Sequence, residues 1–193
     1  MSRIVWKPGN MVYPVPPVLV TCRFQGHDDV MTAAWTGTVC SEPPMCYVSI
    51  RKERYSHDLI ENSGSFAINL PCRALKHAVD YCGVKSGRDE NKFETAHLLT
   101  EEGTKLDLPI LSGSPVNIEC SVTEILRLGS HDMFLGKVEA VDIDPSLLDE
   151  NGRFHMERSG LLAYSHGTYY ELGKAIGTFG WTVRKPKKRK PRK

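Results

Sequence analysis

The sequence predicts a mainly β chain, an antiparallel barrel with α additions. Three observations carry that prediction. Apolar runs rich in Val, Ile and aromatics recur through the first half between turn signals. Two longer runs, 116–129 and 132–144, alternate apolar and polar residues around a Gly-containing turn. Only two segments show helical spacing over any length, and both are short. Several strands with few helices favour a barrel to which the helices are appended.

In chain order, "VLVTCRF", "VMTAAWT", "PMCYVSIR" and "SFAINL" read as strands, separated by turn signals such as Gln25-Gly26-His27-Asp28 and Glu42-Pro43-Pro44. "SHDLIENSG" reads as a helix with Ser56 as N-cap and Gly64 as its stop. "RALKHAVDYCG" places Leu75, Val79 and Cys82 at helical spacing and ends at Gly83. The following stretch to Pro115 is polar and irregular, with one short helix near 92–99. In the long pair, Val116, Ile118, Cys120 and Val122 alternate with Asn117, Glu119, Ser121 and Thr123, which predicts a hairpin with a half-polar face. "LLAYSHGTYYELG" reads as a further strand and turn.

Composition narrows the function classes. At 193 residues, 40% hydrophobic and 25% charged, the chain suits one globular domain. No apolar run approaches the ~20 residues of a membrane span, and the first residues lack signal-peptide character, so the expected location is cytoplasmic, with no membrane partner. The net charge of +2 hides an asymmetry. The last ten residues, "RKPKKRKPRK", hold eight Lys or Arg, which leaves 17 basic against 23 acidic residues in the rest. The expectation is a domain over 1–183 with charge −6 and a basic, disordered tail over 184–193. An acidic body argues against a dedicated nucleic-acid protein. The six cysteines include no CxxC pair, so no metal site is expected, and Cys22, Cys46 and Cys120 read as buried thiols.

The stretch "SIRKERYSHDLI" (49–60) follows a strand with a charged cluster. A hydrolytic triad is excluded because consecutive Ser56, His57 and Asp58 diverge in space, and no G-x-S-x-G is present. Two readings stand: a solvated helix start, or an anion seat in which Ser56, Arg51 and Arg54 join the free N–H groups of the helix. "SGRDENKF" offers further donors at Ser86, Gly87, Arg88 and Lys92. "MTAAWTGT" is rich in small residues, which lets a flat ligand approach the backbone.

The ordered set MTAAW, SEPP, YVSIRKERYSHDLI, FAINLP and SGRDENKF resembles the flavin reductase-like family of FMN-binding split β-barrels, in particular its flavoredoxin and ferric-reductase-type branch. The likeness runs roughly from Val12 to Tyr170. It implies a Greek-key antiparallel barrel with flanking helices, working as a homodimer with one FMN per subunit. Met31, Thr32, Ala33, Ala34 and Trp35 would line the ring, with the Thr32 hydroxyl among the contacts. Ser49, Arg51, Ser56 and His57 would hold the phosphate, and Ser86, Gly87, Arg88 and Lys92 would close over the cofactor. His166, Tyr169 and Tyr170 would line the open face, and Cys40 would fall beside the ring. The implied activity is electron transfer from NAD(P)H or a redox partner to free flavin, ferric iron or a redox protein. A flavin-binding electron carrier and a reductase component serving a monooxygenase are the alternatives. Hydride transfer to a flavin needs no general base, so no catalytic side chain is assigned.

Overall fold

The computed structural model describes residues 2–184. The basic run from 185 onward, and the expectation of disorder there, lie outside the described residues.

Seven strands form one antiparallel sheet: β1 (Val18–Phe24), β2 (His27–Ala33), β3 (Thr36–Ser41), β4 (Pro44–Arg51), β5 (Ser65–Leu70), β8 (Val116–Leu128) and β9 (His131–Ile143). Their spatial order is β2-β1-β5-β8-β9-β4-β3. The two edge strands, β2 and β3, are joined by only Ala34 and Trp35. Three Cα steps span at most about 11 Å. In a flat sheet of this width the edges would lie about 29 Å apart, at ~4.8 Å per strand. The sheet therefore curls until its edges meet, and the result is a barrel split at the β2/β3 seam. The Ser49 N–H donates to the Trp35 carbonyl at 2.8 Å and ties β4 across that seam. The return from β4 to β5 passes through α1 (Tyr55–Ser63) and lands beside β1, a long crossover of Greek-key type.

Alternation assigns the two faces. Val18, Val20 and Cys22 of β1 point into the barrel with Met31, Ala33, Cys46, Val48, Ile50, Phe66, Cys120 and Phe134. Leu59 and Ile60 of α1 pack against the same core. Leu19 faces outward but is equally buried, under Val79 and Cys82 of α2 (Lys76–Val84). Burial on both faces explains why β1 reads as a near-continuous apolar run. Gly136 of β9 is required by close packing, because a Cβ there would come 2.8 Å from both the Cys120 Cβ and the Phe66 ring.

The run 30–36, expected as one strand, is divided. It supplies the end of β2, the two-residue step and the start of β3. The helix expected to end at Gly83 continues through it to Val84. The half-polar face of the long hairpin is covered at Asn117 and Glu119, while Thr123 stays exposed. A small antiparallel pair, β6 (Thr100–Glu102) with β7 (Pro109–Leu111), lies over it. Glu119, fully buried, accepts the backbone N–H groups of Thr104 (2.6 Å), Lys105 (3.0 Å) and Leu106 (2.6 Å). Asn69, also fully buried, donates to the Leu19 carbonyl and accepts from the Leu111 N–H. Both side chains thus anchor backbone groups of the insert. A short helix, α3 (Lys92–Thr95), is capped by the Asn91 side chain, and β10 (Leu162–Ser165) pairs with β11 (Thr168–Glu171) through a turn at His166 and Gly167. Among the described residues no helix is long and apolar enough to cross a membrane.

Glu119→Leu should lower unfolding free energy by about 2–4 kcal/mol in urea titrations, because three buried N–H groups lose their acceptor. Glu119→Gln, which keeps one carbonyl oxygen, should lose less.

Candidate functional site

The seam opens onto a cleft made of two adjoining cavities. The smaller, about 150 Å³, is lined by Met31 to Trp35, Ser49, Arg51, Arg54 and His131. The larger, about 360 Å³, shares Thr32, Ala34 and Trp35 with it and continues past Tyr13, Asp80, Gly83, Tyr164 and Tyr169. Ser49 and Arg51 reach the cleft together because residues two apart on a strand share a face, while Val48 and Ile50 point to the core. Met31 and Ala33 turn their side chains into the barrel, so they offer main chain to the cleft.

The smaller cavity is cationic. Among the described residues Arg51 pairs with Glu53 alone, at 3.4 Å, and both are exposed. The Arg54 guanidinium donates to the Gly83 carbonyl and meets no carboxylate among the described residues. His131 is the cross-strand partner of Arg51. Burial, and then the Arg51 charge, push its imidazole below the usual range. No side chain caps α1, whose start follows Arg54 directly. The larger cavity is aromatic. Tyr13 lies 6.1 Å from Trp35, 6.2 Å from Tyr164 and 4.8 Å from His166, between ring centroids.

The structure does not bring every expected residue to this cleft. Ser56 is not the cap of α1. It lies inside the first turn, fully buried, and its hydroxyl donates to Asp29. Lys92, 3% exposed, pairs with the same carboxylate at 3.0 Å. Asp29 is itself buried, and an unpaired buried charge is costly, so it holds both donors. His57 points the other way. Its ring packs edge-on to Phe134, and its Nε2–H donates to buried Asp132 at 3.0 Å. Ser86, Gly87 and Arg88 form a loop against α1. Arg88 pairs with Asp58 at 2.7 Å and lies over the Tyr55 ring, and a Cβ at Gly87 would overlap the Asp29 carboxylate. The Thr32 hydroxyl donates to the Val79 carbonyl at 2.5 Å, which anchors α2. Tyr169 lines the larger cavity and His166 stacks on Tyr13, but Tyr170, on the opposite face of β11, is half exposed and lines neither cavity. Cys40, beyond a register shift in β3, also lines neither.

Sequence reasoning missed Tyr13, Asp80, Tyr164 and His131. Tyr164 stands in the aromatic-rich stretch that also supplied His166 and Tyr169, and His131 sits in the recognised hairpin turn, so both had a signal. Tyr13 lies in an extended N-terminal segment, and Asp80 reads as an ordinary helix surface residue; neither is marked by its neighbours.

The fold is thus a barrel whose seam joins a cationic pocket to an aromatic cavity. The chain belongs to the flavin reductase like domain family, whose model matches residues 10–173. It is similar to the flavoredoxin of Desulfovibrio vulgaris (Miyazaki F), with 28% identity and a TM-score of 0.87 over 95% of this chain and 100% of that one. It is also similar to an FMN-binding protein from Thermus thermophilus, with 28% identity and a TM-score of 0.78 over 92% of this chain and 99% of that one. An uncharacterized protein of Aeropyrum pernix is 35% identical over 68% of this chain, which spans about half, 51%, of that relative's length.

Breaking the Asp29–Lys92 pair with Lys92→Met should cost about 3–5 kcal/mol of stability, and adding Asp29→Leu should restore part of it, as read by a double-mutant cycle in denaturant. Asp132 supplies a pH signature. Burial opposes its charge, but hydrogen bonds from Arg127 and His57 outweigh that and hold the carboxyl at about 2. A depressed carboxyl stabilises fully above its unfolded value of about 3.9 and loses that contribution as pH falls through the folded one. Asp132→Asn should therefore be less stable at pH 7 and show a flatter stability profile between about pH 4 and pH 2.

Proposed function

We propose that the chain is an FMN-binding oxidoreductase that takes electrons from NAD(P)H or a redox partner protein and passes them to free flavin, ferric iron or a redox protein. The observation that carries this is the continuity of the cleft: two arginines without a buried acidic partner at one end, small residues at the seam, and an aromatic cavity at the other. These residues fit the cofactor. Arg51, Arg54, Ser49 and the uncapped start of α1 would hold the phosphate. The main chain of 31–35 and the rings of Trp35, Tyr13, Tyr164 and Tyr169 would hold the planar end and keep water from it. FMN, when bound, supplies reversible transfer of one or two electrons, and the protein supplies its orientation and electrostatics. His131, held toward its neutral form, would donate or accept a hydrogen bond without adding to the Arg51 charge.

A homodimer is part of the proposal. Ile4, Val5, Trp6, Leu172, Ile176 and Phe179 are all strongly exposed on the two terminal segments of the described chain, and a second copy would cover them. The second reading, an electron carrier without nicotinamide activity, draws on the near-complete overlap with flavoredoxin.

The test compares FMN with riboflavin, which lacks the phosphate. Arg51→Gln with Arg54→Gln should weaken FMN binding about 10–100-fold in fluorescence titrations and leave riboflavin affinity unchanged, on a scale of about 1.5–3 kcal/mol for charge-assisted hydrogen bonds. Equal loss for both ligands would remove the phosphate assignment. Anaerobic addition of NADH or NADPH to the flavin-loaded protein separates the two readings. Bleaching of the flavin absorbance supports the reductase; reduction by dithionite alone supports the carrier.

A further inference from the structure

Away from the cleft, β6, β7, β8 and β9 border an open cavity of about 580 Å³. Glu101, Glu102, Asp142 and Asp144 line it, and none of its lining residues is Lys, Arg or His. Asn117 and Asp142 are cross-strand partners within it. Asn117 is 6% exposed, and its Nδ2–H donates to the Leu111 carbonyl at 3.2 Å, which fixes the amide orientation. Its Oδ1 is buried without a donor. Asp142 Oδ1 accepts from the Thr104 hydroxyl, and Oδ2 is likewise buried without a donor. Glu102 is paired with Arg23, whereas Glu101 makes no ion pair among the described residues. Buried acceptors are normally satisfied, and two orphans on adjacent residues mark a place for a donor.

We propose that this cavity binds a primary ammonium group. An ammonium brings positive charge to an acidic wall and three N–H donors that diverge, matching single oxygens on separate residues. A guanidinium presents a planar fork suited to one carboxylate. Among the described residues no three Asp, Glu, His or Cys side chains converge closely enough to hold a metal ion. Two sources carry the ammonium chemistry: a small aliphatic polyamine, and a lysine of the run 185–193, which contains five.

Spermidine titrated calorimetrically into the 193-residue protein at low ionic strength tests the site. The expected result is one spermidine per chain, with affinity lowered at least tenfold by Asp142→Asn and by Glu101→Gln. Asp142→Asn keeps the oxygen that accepts from Thr104, and Glu101 is exposed, so both variants should fold. A 193-residue variant carrying Lys185→Gln, Lys187→Gln, Lys188→Gln, Lys190→Gln and Lys193→Gln separates the sources. Tighter spermidine binding than in the parent assigns the site to the chain's own lysines, and equal binding assigns it to a free amine. Absence of binding in both proteins, or affinity indifferent to Asp142→Asn and Glu101→Gln, overturns the proposal.

Discussion

The step from Ala33 to Thr36 governs this molecule. Two residues join strands that stand at opposite ends of a seven-stranded sheet. A chain that short cannot bridge a flat sheet, so the sheet must close. Closure then creates the cleft. The strands break at Ala34 and Trp35, and both residues line the cleft beside β4. The hydrogen bond from Ser49 to the Trp35 carbonyl fixes that offset and brings Arg51 to the small residues of β2. One topological constraint therefore yields both the barrel and its cleft.

The polar groups around the cleft divide by what they must neutralise. Asp29 and Asp132 are buried carboxylates on β2 and β9, and each draws donors from α1: Ser56 for the first, His57 for the second. Adjacent residues on a helix point about 100° apart, so the pair can fasten the helix to two different strands. Lys92 completes the first cluster and Arg127 the second. The arginines without such a duty, Arg51 and Arg54, are those that remain at the cavity. A side chain bound to a buried charge cannot also serve a ligand without exposing that charge, so the structural clusters define by exclusion which cations are available.

This division explains what the sequence could and could not reveal. β1, β4 and β5 match the apolar runs residue for residue, because strand alternation is a local signal and the runs are bounded by turns. Ser49 and Arg51 follow from the same period. Ser56, His57 and Lys92 carry the residue types of an anion site, yet their partners lie 27, 75 and 63 positions away, and no local pattern announces them. Asp29 sits in "GHDDV", which reads as the exit from a turn, so its burial was illegible. The polar residues of β8 were visible, but the segment that covers them reads as a loop, and its backbone bonds run to Glu119 and Asn69 across the fold.

The two ends of the cleft would discriminate among ligands in different ways. Its cationic end stands in water, with Arg51 half exposed beside Glu53, so attraction there is screened by salt and is modest for each contact. Its aromatic end is built from rings that already touch one another, with Tyr13 placed between Trp35, Tyr164 and His166. Preorganised rings lose little conformational freedom when a flat partner arrives, and their contribution does not fade with ionic strength. In the proposed function, ring recognition would therefore set the baseline affinity of this surface, and the arginines would set the preference for a phosphorylated tail. The two functions are separable because the seam places them on different strands: the cations on β4 and the start of α1, the rings on the step itself, the N-terminal segment and the β10/β11 hairpin.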